Sequence, residues 1–320
     1  MSITFLSPEA AVIGLAVAVP VAALVLAESR ARMARTVLRL PGRLTRGSAY
    51  TIAIGAFAVL VSLGAAQPVL ERDHTRSVRH DAEALFVLDT SKSMASASSP
   101  TAESRFERSR RMAEQMRKAI PEIPVGIASL ADRVLLHLFP TTETTSFQRT
   151  LDESLDIERP PSVMRRNLVV TNLDTLSVVA KGRFFRDDSK EKLLVIFTDA
   201  ETEPFNSGVL ETAFRNSGIS TILVRMGNPS ELLYDKGVVD PRYQAPPGAA
   251  QSAQLFADAV GGATYDEADF DQAIAAARTD TGAAGPRAKV TETTPTPLSS
   301  YAFAVAFLPL GFLLWRRNVR

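Results

Sequence analysis

Apolar positions along this chain fall into two patterns. Near its ends stand three uncharged runs: Ala10 to Ala27, Ala49 to Leu70, and Tyr301 to Trp315, the last extendable through Leu298, Ser299 and Ser300. An uncharged run of about 20 residues matches the hydrocarbon core of a bilayer, and Tyr301 and Trp315 stand where interfacial aromatics belong. A buried core helix is the plainer reading of each run. A cleaved leader fits the first poorly, because nothing basic precedes it and Glu9 stands at its edge.

Between the second and third runs the apolar stretches are short. Strands are predicted at 84–89 (ALFVLD), 124–131, 133–139, 192–199 (KLLVIFTD), 219–227 and, as a short edge strand, 263–265. Amphipathic helices are predicted at 105–120, with Phe106, Met112, Met116 and Ile120 on one side, and at 171–181, 208–218, 249–262 and 269–278. The strands at 124–131 and 133–139 meet through Asp132 as a hairpin. Strands apolar throughout and separated by helices specify an α/β fold: a doubly wound, mostly parallel sheet with helices on both faces.

The expected organisation is an N-terminal transmembrane helix (1–28), a basic loop (29–48), a second transmembrane helix (49–70), the α/β domain (82–278), a Thr/Pro/Gly-rich linker (279–298), a third transmembrane helix (299–315) and a basic tail (316–320). Charge gives these pieces an orientation. The chain as a whole carries +1, which gives no reason to expect nucleic acid. Residues 71–298, however, hold 27 Lys and Arg against 33 Asp and Glu, a net of −6. Arg30, Arg32, Arg35, Arg39, Arg43 and Arg46 lie between the first two runs, and Arg316, Arg317 and Arg320 follow the third. The positive-inside rule places both in the cytoplasm and the acidic domain outside. The chain is thereby expected to be a multi-pass cell-membrane protein in contact with lipid, its domain extracytoplasmic. Cysteine is absent, which removes thiolate metal sites, Cys nucleophiles and disulfides together.

The candidate chemistry sits where predicted strands end. Asp89 closes the first and is followed by Ser91 and Ser93; Asp199 closes the 192–199 strand. In doubly wound sheets ligands bind beyond the carboxyl ends of the strands, so both carboxylates reach one rim. Oxygen donors without nitrogen or sulfur suit a hard divalent cation such as Mg²⁺, with Mn²⁺ or Ca²⁺ as alternatives. Helix capping is the ordinary explanation of a lone Asp-x-Ser-x-Ser; the second strand ending in Thr198–Asp199 weighs against it.

FVLDTSKSM followed by VIFTDAETE resembles the von Willebrand factor type A domain and its metal-ion-dependent adhesion site, over most of residues 82–278. The resemblance implies metal ligands at Asp89, Ser91, Ser93 and Asp199, with Ala200 where the family usually has glycine. It further implies a threonine ligand, best matched by Thr171 with Val170 at the preceding glycine position, and with Thr142 in reserve. The flanking spans and the N-terminal FLSPEA resemble bacterial membrane proteins of the aerotolerance (Bat) group, which are associated with MoxR-type ATPases. The implied function is adhesion without catalysis: a membrane-anchored module whose metal accepts an Asp or Glu carboxylate from a protein partner, such as a sibling protein of the same domain type.

Two other functions compete. One is a degenerate, metal-free scaffold that assembles with sibling membrane proteins, motivated by Val170 and Ala200. The other is a phosphotransferase of the haloacid dehalogenase class with Asp89 as nucleophile; it wants an acid where Ser91 stands. His74, His80 and His137 lack zinc spacing. Asp266, Glu267, Asp269 and Asp271 lack EF-hand spacing and read as acids at a helix N-terminus.

Overall fold

The computed structural model describes residues 2–12, 46–159, 161, 171–282 and 285–318, with positions 16, 22, 23, 25–27, 29, 30, 33, 34, 37 and 38. In chain order the elements begin with β1 (Ser2–Phe5), α1 (Arg46–Ala65), β2 (Pro68–Arg79), β3 (Ala82–Asp89), α2 (Arg105–Ala119), β4 (Val125–Leu130), β5 (Val134–Thr141) and α3 (Thr144–Glu153). Next come α4 (Ser177–Lys181), β6 (Glu191–Thr198), α5 (Ser207–Phe214), β7 (Ile219–Arg225), β8 (Tyr234–Asp235) and β9 (Val238–Val239). The chain closes with α6 (Ala249–Val260), β10 (Ala263–Asp266), α7 (Phe270–Asp280), β11 (Arg287–Pro297) and α8 (Ser299–Asn318). They form two compact units, Arg76–Val290 and the pair Met1–Thr75 with Thr291–Arg320.

The larger unit is built on a six-stranded sheet of order β10–β7–β6–β3–β4–β5. All neighbours are parallel except the β4–β5 hairpin, as expected from the sequence. Every residue of β3 is buried, so its alternate side chains must find apolar cover on both faces. Ala84, Phe86 and Leu88 pack on one face with Phe106, Met112 and Met116 of α2, Phe147 and Leu151 of α3, and Phe270 and Ala273 of α7. Leu85 and Val87 pack on the other with Leu210 and Phe214 of α5 and Phe256 of α6. The chain leaves β3 toward β4 on one side and later returns as β6 on the other. The strand order therefore reverses between β3 and β6, the place where such sheets bind ligands.

Helix α2 begins with a capping box: the Ser104 side chain accepts from Glu107 N–H while the Glu107 carboxylate accepts from Ser104 N–H. That arrangement satisfies two otherwise unpaired helix-end donors.

In the smaller unit β1, β2 and β11 make a three-stranded sheet. The stretch expected to be a linker is extended, yet most of it is the paired strand β11. Helix α8 is long and apolar enough over Ser299–Arg316 to cross a membrane, whereas the apolar part of α1, Thr51–Ala65, is shorter. The run from Ala49 to Leu70 does not stay helical to its end. Gln67 takes a left-handed backbone (φ 51°) and Pro68 opens β2, because a residue before proline is pushed out of the helical region. Helices α1 and α8 approach closely at Gly64, where a Cβ would come within 2.8 Å of the Phe303 ring. Of the first predicted span, residues 8–12 form a 3-10 turn; most of the remainder, and most of the basic loop at 29–48, lies outside the described residues.

Candidate metal centre at the sheet rim

Leu88 of β3 lies opposite Phe197 of β6 in parallel register, which sets Asp89 beside Thr198 and Asp199 just beyond the strand ends. Asp89 is wholly buried and accepts three hydrogen bonds. Oδ1 takes the Ser91 N–H at 2.9 Å; Oδ2 takes the hydroxyls of Thr171 at 2.6 Å and Thr198 at 2.5 Å. Ser91 Oγ and Ser93 Oγ lie 3.0 Å apart, and the Ser93 hydroxyl is close enough to Asp199 to hold its carboxyl down against the effect of burial. The five residues singled out in the sequence thus converge on one buried patch.

Thr171 reaches the rim because its backbone is stitched to the segment after β6. Its N–H donates to Glu201 C=O and its C=O accepts from Glu203 N–H, each at 2.9 Å. Thr142 is excluded by position. It follows Thr141, which pairs with Val125 at the start of β4, at the opposite edge of the sheet. Val170 lies outside the described residues.

Ala200 occupies the position where the resembled family has glycine, and its backbone shows why: φ is 57°, in the left-handed region, with the side chain fully buried. A non-glycine residue there costs about 1–2 kcal/mol. The buried methyl returns ~0.8 kcal/mol, which offsets part of that cost.

Sequence reasoning missed a second group of residues at the same rim. Arg105, the first residue of α2, is buried among carboxylates. Its Nη1 donates to Asp199 Oδ2 at 2.9 Å and Glu201 Oε1 at 2.7 Å, and its Nε donates to Glu231 Oε2 at 2.8 Å. Tyr243 OH donates to Glu201 at 2.7 Å. Arg108 extends the network to Glu231 and Glu267. Gly227 makes room for it: φ is 79°, and a Cβ would collide with both Arg105 and Glu231. One signal was available in the sequence. Arg105 and Arg108 both stand in the first turn of a helix, where the macrodipole disfavours cations, so carboxylates had to be waiting for them.

Burial governs the electrostatics. It pushes the Asp89 carboxyl up to about 6, with the nearby Asp199 charge adding to the rise and the hydroxyl donors opposing it. Burial also raises Asp199 and Glu201, and Arg105 pulls both back. The donor set of Asp89, Ser91, Ser93, Thr171 and Asp199 is oxygen throughout, and Asp89 is a buried carboxylate whose direct donors are all neutral. A hard divalent cation fits such a set.

The other expectations resolve simply. His137 Nε2 lies 2.8 Å from Ser129 Oγ inside the hairpin. Asp266 pairs with Arg225, and Glu267 pairs with Arg108 and accepts from Gly227 N–H. Among the described residues no group of three or more His, Cys, Asp or Glu forms a metal cluster.

Residues 84–201, the stretch that holds Asp89, Ser91, Ser93, Thr171 and Asp199, match the von Willebrand factor type A domain family. No curated protein matches the chain. Among solved structures, the chain is similar to an aerotolerance-related membrane protein from Bacteroides fragilis: 19% identity, 62% of this chain and 98% of that chain covered, TM-score 0.50. It is also similar to BatB from Bacteroides thetaiotaomicron (20% identity, 62% and 96% covered, TM-score 0.49). A manganese-loaded TRAP protein from Plasmodium vivax is more distant, at 10% identity with 70% and 82% covered and a TM-score of 0.42. At these identities the likeness is one of fold.

Proposed function

We propose that this chain is a membrane-anchored adhesion module that binds a protein partner through a divalent cation at the β3–β6 rim, extracytoplasmic and without catalysis. The observation supporting this is the convergence of Asp89, Ser91, Ser93, Thr171 and Asp199 on one buried, all-oxygen patch at the reversal of strand order. Ser91, Ser93 and Thr171 offer neutral oxygens, and Asp89 and Asp199 offer charge. A cation bound there supplies a Lewis-acid position for an outside carboxylate. Its positive charge is little neutralised by hydroxyl ligands, so a partner's Asp or Glu completes the coordination.

The membrane reading rests on α8 and on the arginines flanking the apolar runs. It makes the chain multi-pass, with three spans and the domain from 71 to 298 outside. A sibling protein of the same domain type, working with a MoxR-type ATPase, fits as partner. Because the domain's own charge is −6, attraction of acidic partners has to come from the local site.

One observation favours the metal-free scaffold: Arg105 already stands beside Asp199 as an internal cation. Affinity capture by the full-length chain separates the two readings. Partners recovered with Mg²⁺ are expected to be lost in EDTA and with Asp89→Ala. Equal recovery in all three conditions assigns the contact to the spans or another face and sinks the adhesion reading.

A further inference from the structure

The rim holds four buried carboxylates: Asp89, Asp199, Glu201 and Glu231. Such groups are expensive to bury unpaired, and the chain itself provides a cation for three of them. Arg105 is 2% exposed, stands at the helix terminus that least favours a cation, and is held by acceptors on separate segments: Asp199 and Glu201 after β6, and Asn228 C=O and Glu231 after β7. Both Asp199 oxygens are thereby engaged, Oδ2 by Arg105 and Oδ1 by the Glu201 N–H at 3.0 Å. Asp89, by contrast, receives hydrogen bonds from neutral donors only.

We propose that Arg105 is a resident counter-cation that competes with the divalent metal for Asp199 and so sets how weakly the rim binds it. The inference rests on the metal-site reading above and adds the residue that tunes it. A guanidinium and a divalent cation near one carboxylate repel each other, and each neutralises charge the other would use. Metal then binds chiefly through Asp89 and the three hydroxyls, while Asp199 serves it only to the extent that Arg105 yields. A selective consequence follows: ions tolerant of few charged ligands suffer least, and overall affinity stays low until the Arg105 clamp is loosened.

The test is Mn²⁺ binding to the full-length chain, read from the electron paramagnetic resonance signal of free Mn²⁺, in the parent, Arg105→Gln and Arg105→Lys. Gln is expected to bind Mn²⁺ at least about tenfold more tightly than the parent, because a repelling charge has gone. Lys keeps the charge and is expected to stay within about threefold. If Gln does not fold in EDTA, Mn²⁺ is expected to restore its melting transition; failure to restore it overturns the proposal. Unchanged or weaker binding in Gln, with the parent still binding, overturns the role of Arg105 and leaves the metal site standing. Equal tightening in Gln and Lys assigns the effect to packing and likewise overturns it. No binding in the parent or in Gln removes both the inference and the metal site.

Discussion

Asp89→Asn is expected to be more stable than the parent chain in EDTA at pH 8, by up to about 3 kcal/mol. The carboxylate's native pKa is raised by burial from 3.8 to about 6, so its charged form opposes folding at every pH above that value. The amide removes the charge and keeps the shape. Its oxygen can take the Ser91 N–H, and its nitrogen can donate to Thr171 and Thr198, whose hydroxyls accept as readily as they donate. The sign of the pH dependence follows from the same shift. The native state holds the Asp89 proton more tightly than the unfolded state does, so acid relieves the penalty. The gap between the two proteins is expected to be full above about pH 6, to shrink as pH falls through that value, and to close near pH 4. Urea denaturation at pH 8, 6 and 4 reads it. A parent that is more stable than the variant at pH 8 would mean that Asp89 is retained for the fold, and the case for a ligand there would be lost. A residue that costs stability where it stands is one kept for function.

Phe86→Ala is expected to have a comparably large effect of opposite sign, a loss of about 3–5 kcal/mol. Phe86 is the middle of the central strand, fully buried, with Phe147 and Phe197 packed edge-on at 6.0 and 6.1 Å between ring centroids. It joins α3 to the β3–β6 pair whose ends form the rim. The neighbouring rings stand on separate elements and cannot collapse together, so a cavity term adds to the lost burial. A loss under about 1 kcal/mol, measured by the same denaturation, would contradict the packing described for this face.

Much of this was legible in the residue pattern, for identifiable reasons. Strands such as ALFVLD and KLLVIFTD are apolar at every position because both faces of a parallel sheet are covered, and that continuity marked them. Asp89 and Asp199 stood out because a carboxylate ending an apolar strand has one physical location, the carboxyl rim. Helix α3 escaped notice because Phe147 and Leu151 are its only buried residues, too few to make a period visible. Strand β11 hid in a Thr/Pro-rich stretch, since its pairing with β2 is a tertiary fact. The carboxylate network around Arg105 was hidden for the same reason. Glu201, Glu231 and Tyr243 come from three segments separated by up to 42 residues in sequence, and nothing local announces that they meet. Even so, Arg105 and Arg108 in the first turn of α2 ran against the helix dipole, and that conflict was readable.

The proposed adhesion stands on a divalent cation held at the rim through Asp89. Mn²⁺ titration of the full-length parent and of Asp89→Asn at pH 7.5, followed by the resonance signal of free Mn²⁺, tests it most directly. One saturable site is expected in the parent, weakened as pH falls below about 6 because protons compete for Asp89, and absent in Asp89→Asn. Parent and variant binding Mn²⁺ alike, or both leaving it free at millimolar concentration, would contradict it.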